Sequence, residues 1–223
     1  MPEPLASWQE GAYVSEWLAD DVLSRMLDLP RRISAALVED SGIEVSHVVD
    51  LGSGAGPYLA LFLRTFASAR GTWVDSSEAM REAAANALEP FADSVDYLVG
   101  DVERLDTLPV AEADVVLTSR VLHHFSPASL QRVYGASARV LRPGGFFFNL
   151  DHVGAPGDWE QRYRRIRSAF TGRRKAPLRP HRHDYPLRPV ADHLAWLSDA
   201  GLEHPDVPWR TLYSALMVAR KPT

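Results

Sequence analysis

Residues 48–57 read Val48-Val49-Asp50-Leu51-Gly52-Ser53-Gly54-Ala55-Gly56-Pro57. An apolar run, an acid, three glycines at alternate positions and a proline spell a strand, a tight turn and a helix start. The buried strand spans His47–Leu51. Pro57, whose ring fixes a helical φ, opens a helix over Pro57–Ala69. The glycines permit positive φ and let a ligand approach the backbone. In open α/β sheets the ligand lies outside the carboxyl end of such a strand. The dinucleotide fingerprint G-x-G-x-x-G needs glycine where Pro57 stands, so a nicotinamide cofactor is disfavoured.

Outward from this turn, short strands alternate with helices. Strands read at Gly71–Val74, Val95–Val99, Asp114–Thr118 and Phe146–Leu150, and helices at Ser77–Leu88 and from Ser126-Pro127 to Leu141. This alternation predicts a parallel sheet covered on both faces. Pro143-Gly144-Gly145 reads as a turn before the fifth strand. The first three strands run into acids at a regular interval: Asp50, Asp75 25 residues on, and Asp101 26 residues further. A carboxylate at the second strand end can accept hydrogen bonds from both ribose hydroxyls, and one at the third from an adenine amino group. Each acid also has a structural alternative, Asp75 as a helix N-terminal acid and Asp101 as a turn residue.

Ahead of the core, Val14, Trp17, Leu18, Val22, Leu23 and Met26 recur at helical spacing, and Pro30 is placed to open a second short helix ending before Gly42. Behind it, a helix from Pro189 to Ala200 stops at Gly201, and strands at Asp206–Arg210 and Leu212–Ala219 form an antiparallel hairpin. With 223 residues, 46% hydrophobic and 24% charged, the chain suits one ordered domain with a substantial core. No cysteine is present, which excludes disulfides, zinc–thiolate sites and a cysteine nucleophile. The N-terminus lacks the basic start and apolar core of a signal peptide, and no apolar run reaches the roughly 18 residues of a membrane span, so a cytoplasmic protein is expected. The net charge of −5 hides a split: Arg162–Arg188 holds ten basic residues and one acid, against 14 basic and 28 acidic elsewhere.

VVDLGSGAGP, Asp75, the VGDV of Val99–Val102, the ADVVLTSRVLHHF of Ala113–Phe125 and the LRPGG of Leu141–Gly145 together resemble a class I S-adenosylmethionine-dependent methyltransferase. The resemblance implies an α/β, Rossmann-like, seven-stranded mostly parallel sheet with one antiparallel strand, helices on both faces and an N-terminal helical lid. It implies one domain: a lid over 1–45, a cofactor-binding core over 46–150, a basic substrate-side insert over 151–188, and a closing helix and hairpin over 189–223. It implies S-adenosyl-L-methionine as cofactor and S-adenosyl-L-homocysteine as product. Asp50 then sits beside the methionine moiety, with Gly52, Ser53, Gly54 and Gly56 lining the cofactor. Asp75 and Ser76 face the ribose, Met80 covers the adenine, Gly100, Asp101 and Val102 take its edge, and Ser119 and Arg120 flank the methionine moiety. Tyr13 stands where the family often places an aromatic lid, and helix-start packing is its alternative.

Methyl transfer needs a base only where the nucleophile must lose a proton. Candidates are His123 and His124 after the fourth strand, and Asp151 and His152 after the fifth. Packing or capping is the alternative for the paired histidines. Asp151-His152 lacks a third ligand at convincing spacing, so no metal is expected. Arg162, Arg165, Arg173, Arg174, His181 and Tyr185 make the basic segment a candidate anion-binding lid, with a solvated face pairing with the acidic body as the alternative. A small-molecule acceptor is favoured, an anionic one included. RNA is disfavoured by the acidic remainder, the scarcity of lysine and the lack of an RNA-binding module. A carboxy-S-adenosylmethionine synthase-like enzyme and a non-catalytic S-adenosylmethionine-binding protein stay open, and the sequence leaves the oligomeric state unknown.

Overall fold

The computed structural model describes residues 21–171 and 185–223. In chain order these form α1 (Asp21–Ser41), β1 (His47–Leu51), α2 (Pro57–Thr65), β2 (Arg70–Asp75), α3 (Glu78–Ala87), β3 (Val95–Val99), β4 (Ala113–Ser119), α4 (Pro127–Val140), β5 (Leu141–His152), α5 (Trp159–Thr171), α6 (Val190–Asp199), β6 (Glu203–Thr211) and β7 (Ser214–Arg220). The seven strands make one sheet in the order β3-β2-β1-β4-β5-β7-β6. The first five are parallel to one another, and β7 runs antiparallel to both β5 and β6. The order reverses between β1 and β4, so the carboxyl ends of β1, β2, β4 and β5 open on one switch point.

The period of two along each strand divides the core. Val48, Leu117 and Phe148 join Tyr58, Phe62, Met80 and Ala84 on one face, while Val49, Leu51, Val116 and Phe147 join Leu130, Val133, Tyr134 and Leu197 on the other. Asp50, two residues from Val48, shares the face covered by α1, α2 and α3. α1 packs against α2 and across β5 and β6, adding Leu27, Ala35 and Val38 to that core.

Two local expectations are corrected. Pro30 does not open a second helix; it sits inside one unbroken helix, α1. An interior proline costs about 3 kcal/mol. The apolar face continues across it, with Leu27 before and Ala35 and Val38 after, and burial of that face holds the helix together. Pro143-Gly144-Gly145 likewise does not separate two elements. Leu141 already pairs with Ala113 and Phe146 with Val115, so four residues of β5 bulge against one of β4. The bulge is retained because Gly144 N–H donates to Lys221 O at 3.0 Å.

Candidate functional site

The glycine turn is tied down from both sides. Gly52 and Ser53 N–H donate to Val74 O, and the indole N–H of fully buried Trp73 donates to Gly54 O at 2.7 Å. Gly52 has φ 64°, and a Cβ there would stand 2.2 Å from Val121 Cγ2. Gly54, at φ 56°, has space above it, with Met80 Sδ at 3.8 Å as the nearest atom to a Cβ. The sequence-predicted Gly54, Met80 and Asp75 therefore meet. Asp75 accepts the N–H of Gly54 and of Ser77, each at 3.0 Å, and burial raises its pKa against those backbone donors. Ser77 also caps α3, accepting Met80 N–H at 3.2 Å, while Ser76 is exposed beside it.

Asp50 is almost wholly buried. Ser53 Oγ donates to its Oδ2 at 2.7 Å, and its Oδ1 makes no hydrogen bond. Loss of water pushes the carboxyl up to about 7, against the pull of Ser53, Arg31 and the Leu59 N–H, with Asp75 adding to the rise. An orphaned buried carboxylate oxygen beside an open glycine cradle suits a ligand that carries a positive nitrogen, so these residues fit the methionine end of the implied cofactor. At the third strand end, Asp101 is exposed and accepts Glu103 N–H at 2.9 Å, while Val102 is buried and Gly100 N–H donates to Asp75 O. Asp101 thus closes a turn and still offers a carboxylate to solvent. Gly56 caps α2, Ser119 ends β4, and Arg120 follows it at φ 63° with its N–H on Leu150 O.

Across the switch point three histidines gather around Asp151. Its Oδ1 meets His123 Nδ1 at 2.5 Å and accepts His152 N–H at 2.8 Å; its Oδ2 accepts His123 N–H at 2.9 Å. Burial pushes this carboxyl up, but the His123 ring and the three bonds outweigh it and hold the pKa below the ordinary value. The His123 ring lies 4.1 Å from that of His124 and 4.9 Å from that of His152. His152 in turn meets Tyr213, at the β6–β7 turn, with ring centres 4.8 Å apart. α5 closes this side: Arg164 and Arg167 stand over the Tyr213 ring at 5.2 and 5.1 Å.

The basic segment is less concentrated on the site. Arg162 pairs with Asp158 at 2.7 Å and stacks on Trp159, Arg164 pairs with Glu160, and Arg165 and Tyr185 are exposed. Tyr13, Arg173, Arg174 and His181 lie outside the described residues. Two participants were not singled out from the sequence as site residues, Arg31 and Tyr213, and Asp151 was a candidate base whose pairing with His123 was not foreseen. Asp151 stood at a strand end, but nothing in the sequence tells that it meets a residue 28 positions away.

Residues 48–145 match the family described as Methyltransferase domain. Over 138 residues the chain is 30% identical to a malonyl-[acyl-carrier protein] O-methyltransferase of Chlorobium luteolum, covering 61% of this chain and 49% of that protein. It is 36% identical over 122 residues to aclacinomycin 10-hydroxylase RdmB of Streptomyces purpurascens, covering 53% of this chain and 31% of that one. The chain thus spans about half or less of these relatives' lengths. Among solved structures, human N-acetylserotonin methyltransferase in complex with S-adenosylmethionine superposes with a TM-score of 0.69 at 18% identity, over 98% of this chain and 58% of that one. The S-adenosylmethionine-dependent methyltransferase SibL in its apo form gives 0.67 at 19%, over 90% and 57%. At such identities these two structural likenesses are of fold.

Proposed function

We propose that the chain, whose residues 48–145 match a methyltransferase domain, is a class I S-adenosylmethionine-dependent enzyme that transfers a methyl group from S-adenosyl-L-methionine to a hydroxyl of a small-molecule acceptor. The observation that supports it is the pairing of two constellations at one end of the sheet: Asp50, Gly54 and Asp75 on β1 and β2, and the His123–Asp151 pair on β4 and β5. In this reading Asp50 holds the methionine end, Asp75 the ribose, and Met80 with Asp101 and Val102 the adenine. When bound, the cofactor supplies a methyl on a sulfonium sulfur whose departure leaves a neutral thioether, so no acid is needed on the leaving group. The protein's task is to align the acceptor, exclude water and take one proton.

His123 is suited to take that proton. Asp151 fixes the ring through Nδ1 and the backbone N–H, which selects the tautomer that accepts at Nε2. Asp151, kept ionised, offsets the positive charge that His123 gains. His124 and His152 pack on its faces and shape the acceptor side. The finer proposal is an anionic acceptor met by Arg165, Arg173 and Arg174. Arg162 is engaged by Asp158 on the exposed face of α5, which supports a solvated role for that residue.

Turnover with S-adenosyl-L-methionine and a panel of hydroxylated small molecules, followed by mass spectrometry, tests this. Expected is S-adenosyl-L-homocysteine in step with an acceptor heavier by one methylene. An acceptor that instead gains oxygen, the chemistry named for the hydroxylase relative, contradicts it. His123→Gln should lower the rate by roughly 10²- to 10⁴-fold with cofactor affinity unchanged. Neutralising Arg173 and Arg174 should weaken an anionic acceptor more than a neutral one.

A further inference from the structure

In the sequence of α5, Trp159, Tyr163 and Ile166 recur at helical spacing, which gathers them on one apolar stripe with arginines around it. A helix packed on a core turns such a stripe inward. α5 does the reverse. Arginines make its inward contacts: Arg164 and Arg167 stand over the Tyr213 ring, and Arg167 Nη1–H donates to the Tyr213 hydroxyl at 2.5 Å. The stripe is left at the surface, with Trp159 50% exposed and Ile166 41%. Tyr163 is half-buried, and its ring lies 5.6 Å from that of Trp159. The Arg162 guanidinium, paired with Asp158, lies 5.6 Å from the Trp159 ring.

This is the make-up of a helix that lies in a bilayer surface. Trp and Tyr settle at the headgroup level because each has an apolar body and a polar edge, Ile reaches the acyl boundary, and a guanidinium beside them meets phosphate. With 13 residues α5 is too short to span a bilayer, so the mode it suits is to lie along the surface. Charge points to an anionic surface. Arg162–Arg188 holds ten basic residues and one acid, against 14 basic and 28 acidic elsewhere. Such a surface draws this segment in and repels the rest, which sets orientation as well as contact. An acidic protein matches the charge equally, and the Trp159–Tyr163 ring pair beside an arginine is what favours lipid.

We propose that α5 docks the chain on an anionic bilayer surface, with Trp159, Tyr163 and Ile166 entering the headgroup boundary and Arg162 meeting lipid phosphate. The docking itself does not depend on the cofactor. α5 also covers Tyr213, which packs on His152, so docking places the acceptor side next to the bilayer. Taken with the methyl-transfer reading above, on which this consequence rests, the acceptor class is a hydroxylated amphiphile dissolved in the membrane.

Flotation of the full chain with vesicles of phosphatidylcholine alone, and of phosphatidylcholine mixed with phosphatidylglycerol, tests the proposal. It is run on the wild type, on the double variant Trp159→Ser, Ile166→Ser and on Arg162→Gln, with a melting curve for each. The wild type should bind the mixed vesicles roughly tenfold better than the neutral ones, and less as salt rises. The double variant should lose roughly tenfold or more in affinity, and Arg162→Gln roughly fivefold on the mixed vesicles alone. Brominated phosphatidylcholine in the mixed vesicles should quench tryptophan fluorescence, and less so in Trp159→Phe. A wild type that does not float, a folded double variant that floats like the wild type, or quenching unchanged in Trp159→Phe overturns the proposal. So does retention on poly-L-glutamate without flotation, which assigns the stripe to an acidic protein. If the double variant fails to fold, Trp159→Phe and Arg162→Gln decide. Flotation needs no turnover, so failure of the methyl-transfer reading shows separately, as a chain that floats and methylates nothing.

Discussion

Asp50 joins burial, charge and ligand in one residue. With its pKa raised to about 7, it holds a proton over much of the range between about pH 5 and 7, where an exposed aspartate is almost wholly ionised. Arg31 and Asp75 act on it with opposite signs. An ammonium brought beside it favours the ionised form, so binding releases a proton below pH 7. Affinity for S-adenosyl-L-homocysteine should therefore rise as pH climbs from about 5.5 to 7 and level off above. Calorimetry in buffers of different ionisation enthalpy reads the released proton, and Asp50→Asn should flatten the profile. The glycines make a second contrast. Gly52→Ala drives a Cβ into Val121 at 2.2 Å and should lower the melting temperature. Gly54→Ala meets only Met80 Sδ at 3.8 Å, so beyond the strain of its positive φ it should cost mainly cofactor affinity. The acids and glycines were legible because strand ends recur at regular spacing. Arg31 was not, because nothing local says which way a helix turns its arginine.

Between elements, the buried hydrogen bonds carry what the sequence concealed. Tyr134 of α4 shares a 2.7 Å bond with His193 Nδ1 of α6 and accepts Asn149 Nδ2–H of β5 at 3.1 Å, joining three elements beneath the acceptor side. Tyr134→Phe strands two buried polar groups and should cost about 1–3 kcal/mol in denaturant unfolding. Burial is the main cause that lowers the His193 pKa, Arg188 adding to it and Asp151 and Asp192 opposing. Unfolding then takes up a proton, and this contribution to stability is lost as pH falls below about 6.5. Asp50 acts in the opposite sense in the cofactor-free chain, so the His193 effect is read as the difference between wild type and His193→Gln. The loss of stability toward acid pH should be smaller in the variant. Neither Pro30 nor the Gly144 bulge obeyed its local signal, for one reason: packing of the helix face and of the β5 edge outweighed a turn preference. Just past β5, Gly154 N–H donates to Arg188 O, and Gly154 bridges Pro189 ahead of α6.

For the molecule as a whole, alternation of strand and helix was enough to predict a parallel sheet with two covered faces, while the closing hairpin came from its short connection and the reversed last strand from the family resemblance. What alternation cannot carry is pairing across distance, such as His123 with Asp151 or α1 with the glycine turn. The charge split also changes meaning. Asp50 is buried and Asp75 half-buried at strand ends, whereas Arg162 and Arg164 pair with acids four residues before them in the chain, so net charge describes surface more than site. Among the described residues no helix is long and apolar enough to cross a membrane. Because both faces share one sheet, a ligand on β1 and β2 should stabilise the whole fold, by about 2.7 kcal/mol at a hundredfold excess over its Kd. The most direct measurement is calorimetric titration of the wild-type chain and of Asp75→Ala with S-adenosyl-L-homocysteine. Expected is one ligand per chain, with affinity weakened by about 1–3 kcal/mol in the folded variant. A folded wild-type chain that binds neither S-adenosyl-L-homocysteine nor S-adenosyl-L-methionine, or a variant with unchanged affinity, would contradict the placement of the cofactor at these strand ends.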